Sequence, residues 1–154
     1  MRKMINIILL ILGIVIATSA YSLWASKLPW KEPPGVLTRL SVYLSQNVAE
    51  TSDDAIFPEL KPRTYPVAAK PFLDELTSHI IALGWKLQSV DPDQMIITAA
   101  VQTKWLKFTD DITIRLESVS AKETRLHIRS ASRVGTADFG ANLGHILRLY
   151  WNLG

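Results

Sequence analysis

No charged residue occurs between Met4 and Ser26, and Arg2 and Lys3 sit directly ahead of that run. A helix over the run reaches roughly 34 Å at ~1.5 Å per residue, enough for a hydrocarbon core of ~30 Å. The run has no polar face and is unusually long for a buried core helix, so a place inside a soluble fold suits it poorly. The expectation is a signal-anchor over residues 1–26, attached to the membrane through a helix across residues 4–26. The basic pair favours a cytoplasmic N-terminus, which predicts a single-pass protein of the inner (cytoplasmic) membrane with an extracytoplasmic, periplasmic C-terminal domain. A cleavable secretory signal is the competing reading, with an apolar stretch from Met4 to Ala17 and small residues at Thr18, Ser19 and Ala20. Against cleavage, the apolar character continues through Tyr21, Leu23 and Trp24, and Tyr21, Trp24, Lys27 and Trp30 suit an interfacial belt.

The rest of the chain is nearly neutral. Of 17 basic and 14 acidic residues, Arg2 and Lys3 precede the apolar run, leaving a net charge of +1 beyond it. That balance does not suggest a nucleic-acid footprint, so nucleic acid is not an expected partner. The chain has no cysteine, which excludes a lipidated N-terminal cysteine, a thiolate zinc site and thiol redox chemistry. Stability must come from ordinary burial.

Six of the eight prolines lie between Lys27 and Pro66. Each lacks a backbone donor and biases its predecessor toward extended conformations, so residues 27–63 read as a proline-rich tether. Within it, Val36 to Val48 is apolar enough for a short helix or strand on the domain or the membrane. Ile56, Phe57 and Leu60 would gain by docking.

Residues 64–154 carry cleaner periodicity. A short strand at Thr64 to Ala68 precedes a helix from Lys70 to Leu83, with Pro71 in its first turn and Gly84 as its stop. Two strands, Trp85 to Val90 and Met95 to Thr103, flank the turn at Asp91-Pro92-Asp93. Asp111 to Val119 and Thr124 to Arg133 form a second hairpin, with Ile112, Ile114, Leu116, Leu126 and Ile128 on one side. A helix from Ala141 to Asn152 turns Leu143, Ile146, Leu147 and Tyr150 inward. The fold class is α+β: an N-terminal transmembrane helix, then a small β-α-β-β-β-β-α domain, an antiparallel sheet with helices on one face.

The second hairpin carries the densest polar constellation. With its turn near Ala121, Glu117 faces Arg125, Arg115 faces His127, and Thr113 faces Arg129, all away from the apolar side. One reading is a solvated sheet face on which cross-strand ion pairs fix register. The other is an anion- or headgroup-binding face of Arg115, Arg125, Arg129 and Arg133, with Asp111 orienting one arginine.

The stretch from Phe108 through Asp110, Asp111 and Arg115, followed by Arg125-Leu-His-Ile-Arg129-Ser-Ala-Ser-Arg133-Val-Gly135 and then Asp138, Gly140 and Asn142, resembles the bacterial and plastid family called domain of unknown function 1499. The resemblance covers roughly Leu44 to Leu153. It implies an exported or membrane-attached protein and no established activity. This chain departs from the family pattern in reading Ser45-Gln46-Asn47-Val48-Ala49 where a cysteine is frequent. It also has Ala131, Thr136 and Ala137 in the arginine-serine run, which weakens any strongly cationic surface.

Other chemistry is sparse. His79, His127 and His145 lack metal-ligand spacing, so no metal is expected, and no cofactor is implied. Ser130 and Ser132 lack a nucleophile-elbow pattern. Asp110 and Asp111 are adjacent on a strand and therefore point to opposite faces, unlike paired glycosidase carboxylates. Asp138 suits the cap of the last helix, and Trp85 and Trp105 suit core or core-edge positions. Two classes remain. The first is a non-catalytic, membrane-anchored binding or accessory module for an envelope protein or lipid headgroup, built on Asp111, Arg115, Arg125, His127, Arg129, Arg133 and Asp138. The second is an unrecognised enzyme using Asp111, His127, Arg129, Arg133 and Asp138, which requires those side chains to converge in one cleft.

Overall fold

The computed structural model describes residues 2–25, 28–102 and 108–154. Lys27, Thr103 and Trp105 lie outside the described residues, as do the side chains of Tyr21 and Trp24. The chain opens with helix α1 (Arg2–Ala25), on which Met4, Ile5 and the aliphatic residues from Ile7 to Leu12 stand exposed. Among the described residues, no helix is long and apolar enough to cross a membrane.

The rest is α+β. Helix α2 (Val36–Ser45) and strand β1 (Val48–Glu50) lead through a 3-10 turn (Pro58–Leu60) to strand β2 (Arg63–Tyr65). Helix α3 (Ala69–Ala82) precedes strands β3 (Lys86–Asp91), β4 (Ile96–Gln102), β5 (Thr109–Ser120) and β6 (Glu123–Ser132), and helix α4 (Ala141–Leu153) closes the chain. The sheet is antiparallel in the order β1-β6-β5-β4-β3, with β2 also pairing with β6. The central hairpin pairs as its alternation anticipates: Glu117 with Arg125, Arg115 with His127, Thr113 with Arg129.

Inward residues of the sheet (Ile97, Ile112, Ile114, Leu126 and Ile128) are essentially fully buried. Over them pack Phe72, Leu76 and Ile80 of α3 and Leu143, Ile146 and Tyr150 of α4. The end of α3 follows from Gly84, whose φ of 73° admits the left-handed turn that lets Trp85 N–H reach the Ile80 carbonyl at 3.1 Å.

The tether expected over residues 27–63 is instead part of the fold from Leu28 onward. Leu28, Tyr43, Phe57 and Leu60 belong to the core, and β1 is a strand of the sheet. The reason is short-range: three-residue strands are too short to display alternation, and prolines interrupt the chain between them. β1 and β2 succeed one another along the same edge of β6, with the loop 51–62 bulging between. Thr51 continues the ladder into that gap. Its N–H donates to the Ile128 carbonyl at 2.9 Å, and its hydroxyl accepts the Ile128 N–H at 2.9 Å. Of the three residues expected to dock, Phe57 and Leu60 are buried while Ile56 is 69% exposed.

α2 is anchored by Arg39, which is fully buried. Its guanidinium meets Glu59 at 2.5 Å and donates to the Pro33 carbonyl at 2.7 Å, while lying 4.5 Å above the Phe57 ring. A lone arginine in an apolar decapeptide gives no sequence-level hint that it points inward. Burial is tolerable here because the guanidinium N–H groups find acceptors in Glu59, the Glu32 and Pro33 carbonyls and the Tyr43 hydroxyl, and Phe57 covers one face.

Candidate functional site

The outward face of the central hairpin is where the sequence placed its polar constellation. Inward positions on β5 and β6 are taken by aliphatic residues, so the intervening residues project from the opposite face. Almost every cation there has an anionic neighbour. Arg133 donates to both oxygens of Asp111, at 2.8 and 2.7 Å, and those bonds hold the Asp111 carboxyl below the usual carboxylate range. His127 Nε2 lies 2.7 Å from Glu117, and that hydrogen bond likewise lowers Glu117. Arg125 pairs with Asp53 from the loop that bridges β1 and β2, and Arg129 lies 3.7 Å from Glu50 on β1. Arg115 has no acidic partner within ion-pair distance among the described residues.

Arg115, His127 and Arg129 share a shallow hollow of about 340 Å³, completed by Thr113, Ile96 and the edge residues Glu50 to Asp53. The hollow exists because the edge is interrupted: among the described residues, no strand covers this side of β6 between β1 and β2. Asp111 and Arg133 pair with each other and do not line it, nor does Asp138. Asp138 instead accepts the backbone N–H groups of Gly140 and Asn142, both at 2.8 Å, and so fixes the first turn of α4. The five residues that an enzyme reading needs in one cleft are therefore dispersed. Among the described residues, no group of three or more His, Asp or Glu side chains could hold a metal ion.

Two features lay beyond the sequence reading. Behind the sheet, Asp110 is buried and lies 3.0 Å from His145 Nε2 on α4. Burial pushes this carboxyl up, but hydrogen bonds from His145 and Ser132 outweigh it, and the group sits below the ordinary range. Asn142 extends the network, accepting the Ser130 hydroxyl at 2.5 Å and donating to Ser132 and to the Asn47 carbonyl. The available signal was parity: Asp110 shares the inward phase of Ile112 and Ile114. Trp85 is buried against His145, its ring edge-on at 6.0 Å.

The second is an apolar groove of about 390 Å³ between α2, β1, the loop 52–57 and the start of α4. Tyr43, Phe57, Leu60 and Leu143 form its buried floor, and Val42 and Ile56 its walls. Its polar lining comes from Gln46, Glu50, Ser52, Asp54 and Asp138, and among the described residues no lysine or arginine lines it. It joins elements from both ends of the sequence, which is why local periodicity could not reveal it.

A family model described as "Protein of unknown function (DUF1499)" matches residues 29–153. No curated protein matches the chain.

Proposed function

The chain belongs to the DUF1499 family of proteins of unknown function, and on that premise we propose that it is a membrane-anchored, extracytoplasmic binding or accessory module without catalytic activity. The observation that carries this reading is the dispersal of the polar constellation. Its charged groups spread over a sheet face in separate ion pairs, the geometry of a recognition surface rather than of a catalytic cleft. In the hollow between β1 and β2, Arg115 and Arg129 offer guanidinium groups suited to a phosphate or carboxylate on a lipid headgroup or envelope protein.

Membrane attachment is supported by the uncharged run Met4–Ser26 behind Arg2 and Lys3, and by the exposed aliphatic side chains of α1. Helix α2 adds to this. At ~100° per residue, Val36, Leu37, Leu40 and Leu44 fall within one narrow arc, opposite in role to the buried Arg39 and Tyr43. Leu37 is 84% exposed, an apolar stripe suited to a bilayer surface beside the anchor.

The test is extraction of the full-length protein from native membranes in mild detergent, in parallel with an Arg115→Glu, Arg129→Glu variant. The expected result is a protein or anionic lipid retained by the native face and lost from the folded variant. Recovery of the chain in the soluble fraction, or identical co-purifying material from both proteins, would overturn the reading.

A further inference from the structure

The groove beside β1 has three properties that together specify an occupant. First, β1 ends the sheet, so among the described residues no strand pairs with its outer edge. Thr51 N–H bonds to Ile128 and the Asn47 carbonyl accepts Ser132, which sets the phase of pairing with β6. Val48 and Glu50 are then the residues whose N–H and C=O groups point away from β6, along the side that borders the groove. Second, the floor is apolar and large enough for a branched aliphatic side chain, with Phe57 and Leu143 at its base. Third, the rim is acidic. Glu50 is shared only loosely with Arg129, at 3.7 Å, and Asp54 has no cationic partner within ion-pair distance among the described residues.

We propose that this groove docks an extended peptide segment of a partner protein, in which an aliphatic residue is flanked by lysine or arginine. The segment adds as a strand to β1, with backbone hydrogen bonds to Val48 and Glu50. Its aliphatic side chain fills the groove and its cations meet Glu50 and Asp54. An anionic ligand is disfavoured by the same rim; the groove adjoins the arginine-lined hollow, with Glu50 and Ser52 bordering both. The inference rests on the binding-module reading but not on that arginine face.

The experiment uses the purified full-length chain in a nonionic detergent. The probe is a fluorescein-labelled heptapeptide in which valine and leucine alternate with lysine, followed by fluorescence anisotropy. Saturable one-to-one binding is expected at roughly 10–100 μM. A peptide with glutamate in place of lysine, a peptide N-methylated on the amides of one edge, and the Glu50→Lys, Asp54→Lys variant should each weaken binding about tenfold or more. Circular dichroism confirms that the variant is folded, and both altered side chains are exposed. Equal binding of the N-methylated peptide would overturn strand addition, and equal binding of the glutamate peptide would overturn the acidic rim. No saturable binding up to millimolar peptide would overturn the site itself. The Arg115→Glu, Arg129→Glu variant releases Glu50 from Arg129 and should bind the peptide at least as tightly as the native protein, so failure here and failure at the sheet face are read separately.

Discussion

Asp110 and Asp111 share a side chain and a strand but live in different solvents, because one residue of β phase separates the core from the surface. Asp111 faces out and meets Arg133, while Asp110 faces in, under α4, and depends on His145 and Ser132 for its charge. Because the folded-state pKa of Asp110 is depressed, its contribution to stability is present above the unfolded value and is lost as pH falls through the folded one. Asp110→Asn should therefore cost about 1–3 kcal/mol near neutrality, and the gap to the native protein should narrow as pH drops below about 4. Urea titrations at several pH values check this, and a pH-independent gap would contradict it. Gly140 offers a second test. Its φ is 80°, and a Cβ there would lie 2.5 Å from Leu28 Cδ1 and 3.3 Å from the Tyr43 ring. Gly140→Ala should destabilise the fold by roughly 1–3 kcal/mol, read as a lower midpoint of thermal unfolding.

At the scale of elements, legibility followed length. β5 and β6 are long enough that alternation displays both phase and register, and the cross-strand partners of Arg115, Thr113 and Glu117 could be read directly. The pattern also marked α3 and α4, whose apolar faces repeat over three turns. Between Leu28 and Arg63 it anticipated a short element near α2 and the docking of Phe57 and Leu60, but three-residue strands, a lone buried arginine and prolines gave no repeat from which to read β1, β2 or the burial of Arg39. Arg39 is the pin of that region, binding α2 to the 3-10 turn through Glu59 and to the preceding loop through the Pro33 carbonyl. Arg39→Leu should cost about 3–5 kcal/mol, because Glu59 is left partly buried and unpaired. The double variant with Glu59→Leu should recover part of that loss. Chemical denaturation of the two single variants and the double variant closes the cycle, and strict additivity would show that the pair is not coupled.

For the whole molecule, the segment before the periodic region is structure rather than connection. A chain beginning at Leu28 should unfold in one cooperative transition. A chain beginning at Thr64 should not, because it lacks β1 and the core side chains of Tyr43, Phe57 and Leu60. Near-ultraviolet circular dichroism and urea unfolding of the two truncations distinguish these outcomes. What the sequence determined by itself was the α+β class, the central hairpin and its register, the family resemblance, and the outward placement of Arg115, Arg125, His127, Arg129 and Arg133. The resemblance rests on the motif residues from Phe108 to Asn142; the other properties follow from local alternation between apolar and polar residues. The cap of α4 by Asp138 was legible as well; only tertiary structure decided that Arg125 and Arg129 meet acids from other segments, Asp53 and Glu50, and that Asp138 stands away from that face. It alone brought Asp110 to His145 and formed a groove from α2, β1 and α4. Each of these depends on chain segments far apart in sequence meeting across the core, and no local pattern encodes such a meeting.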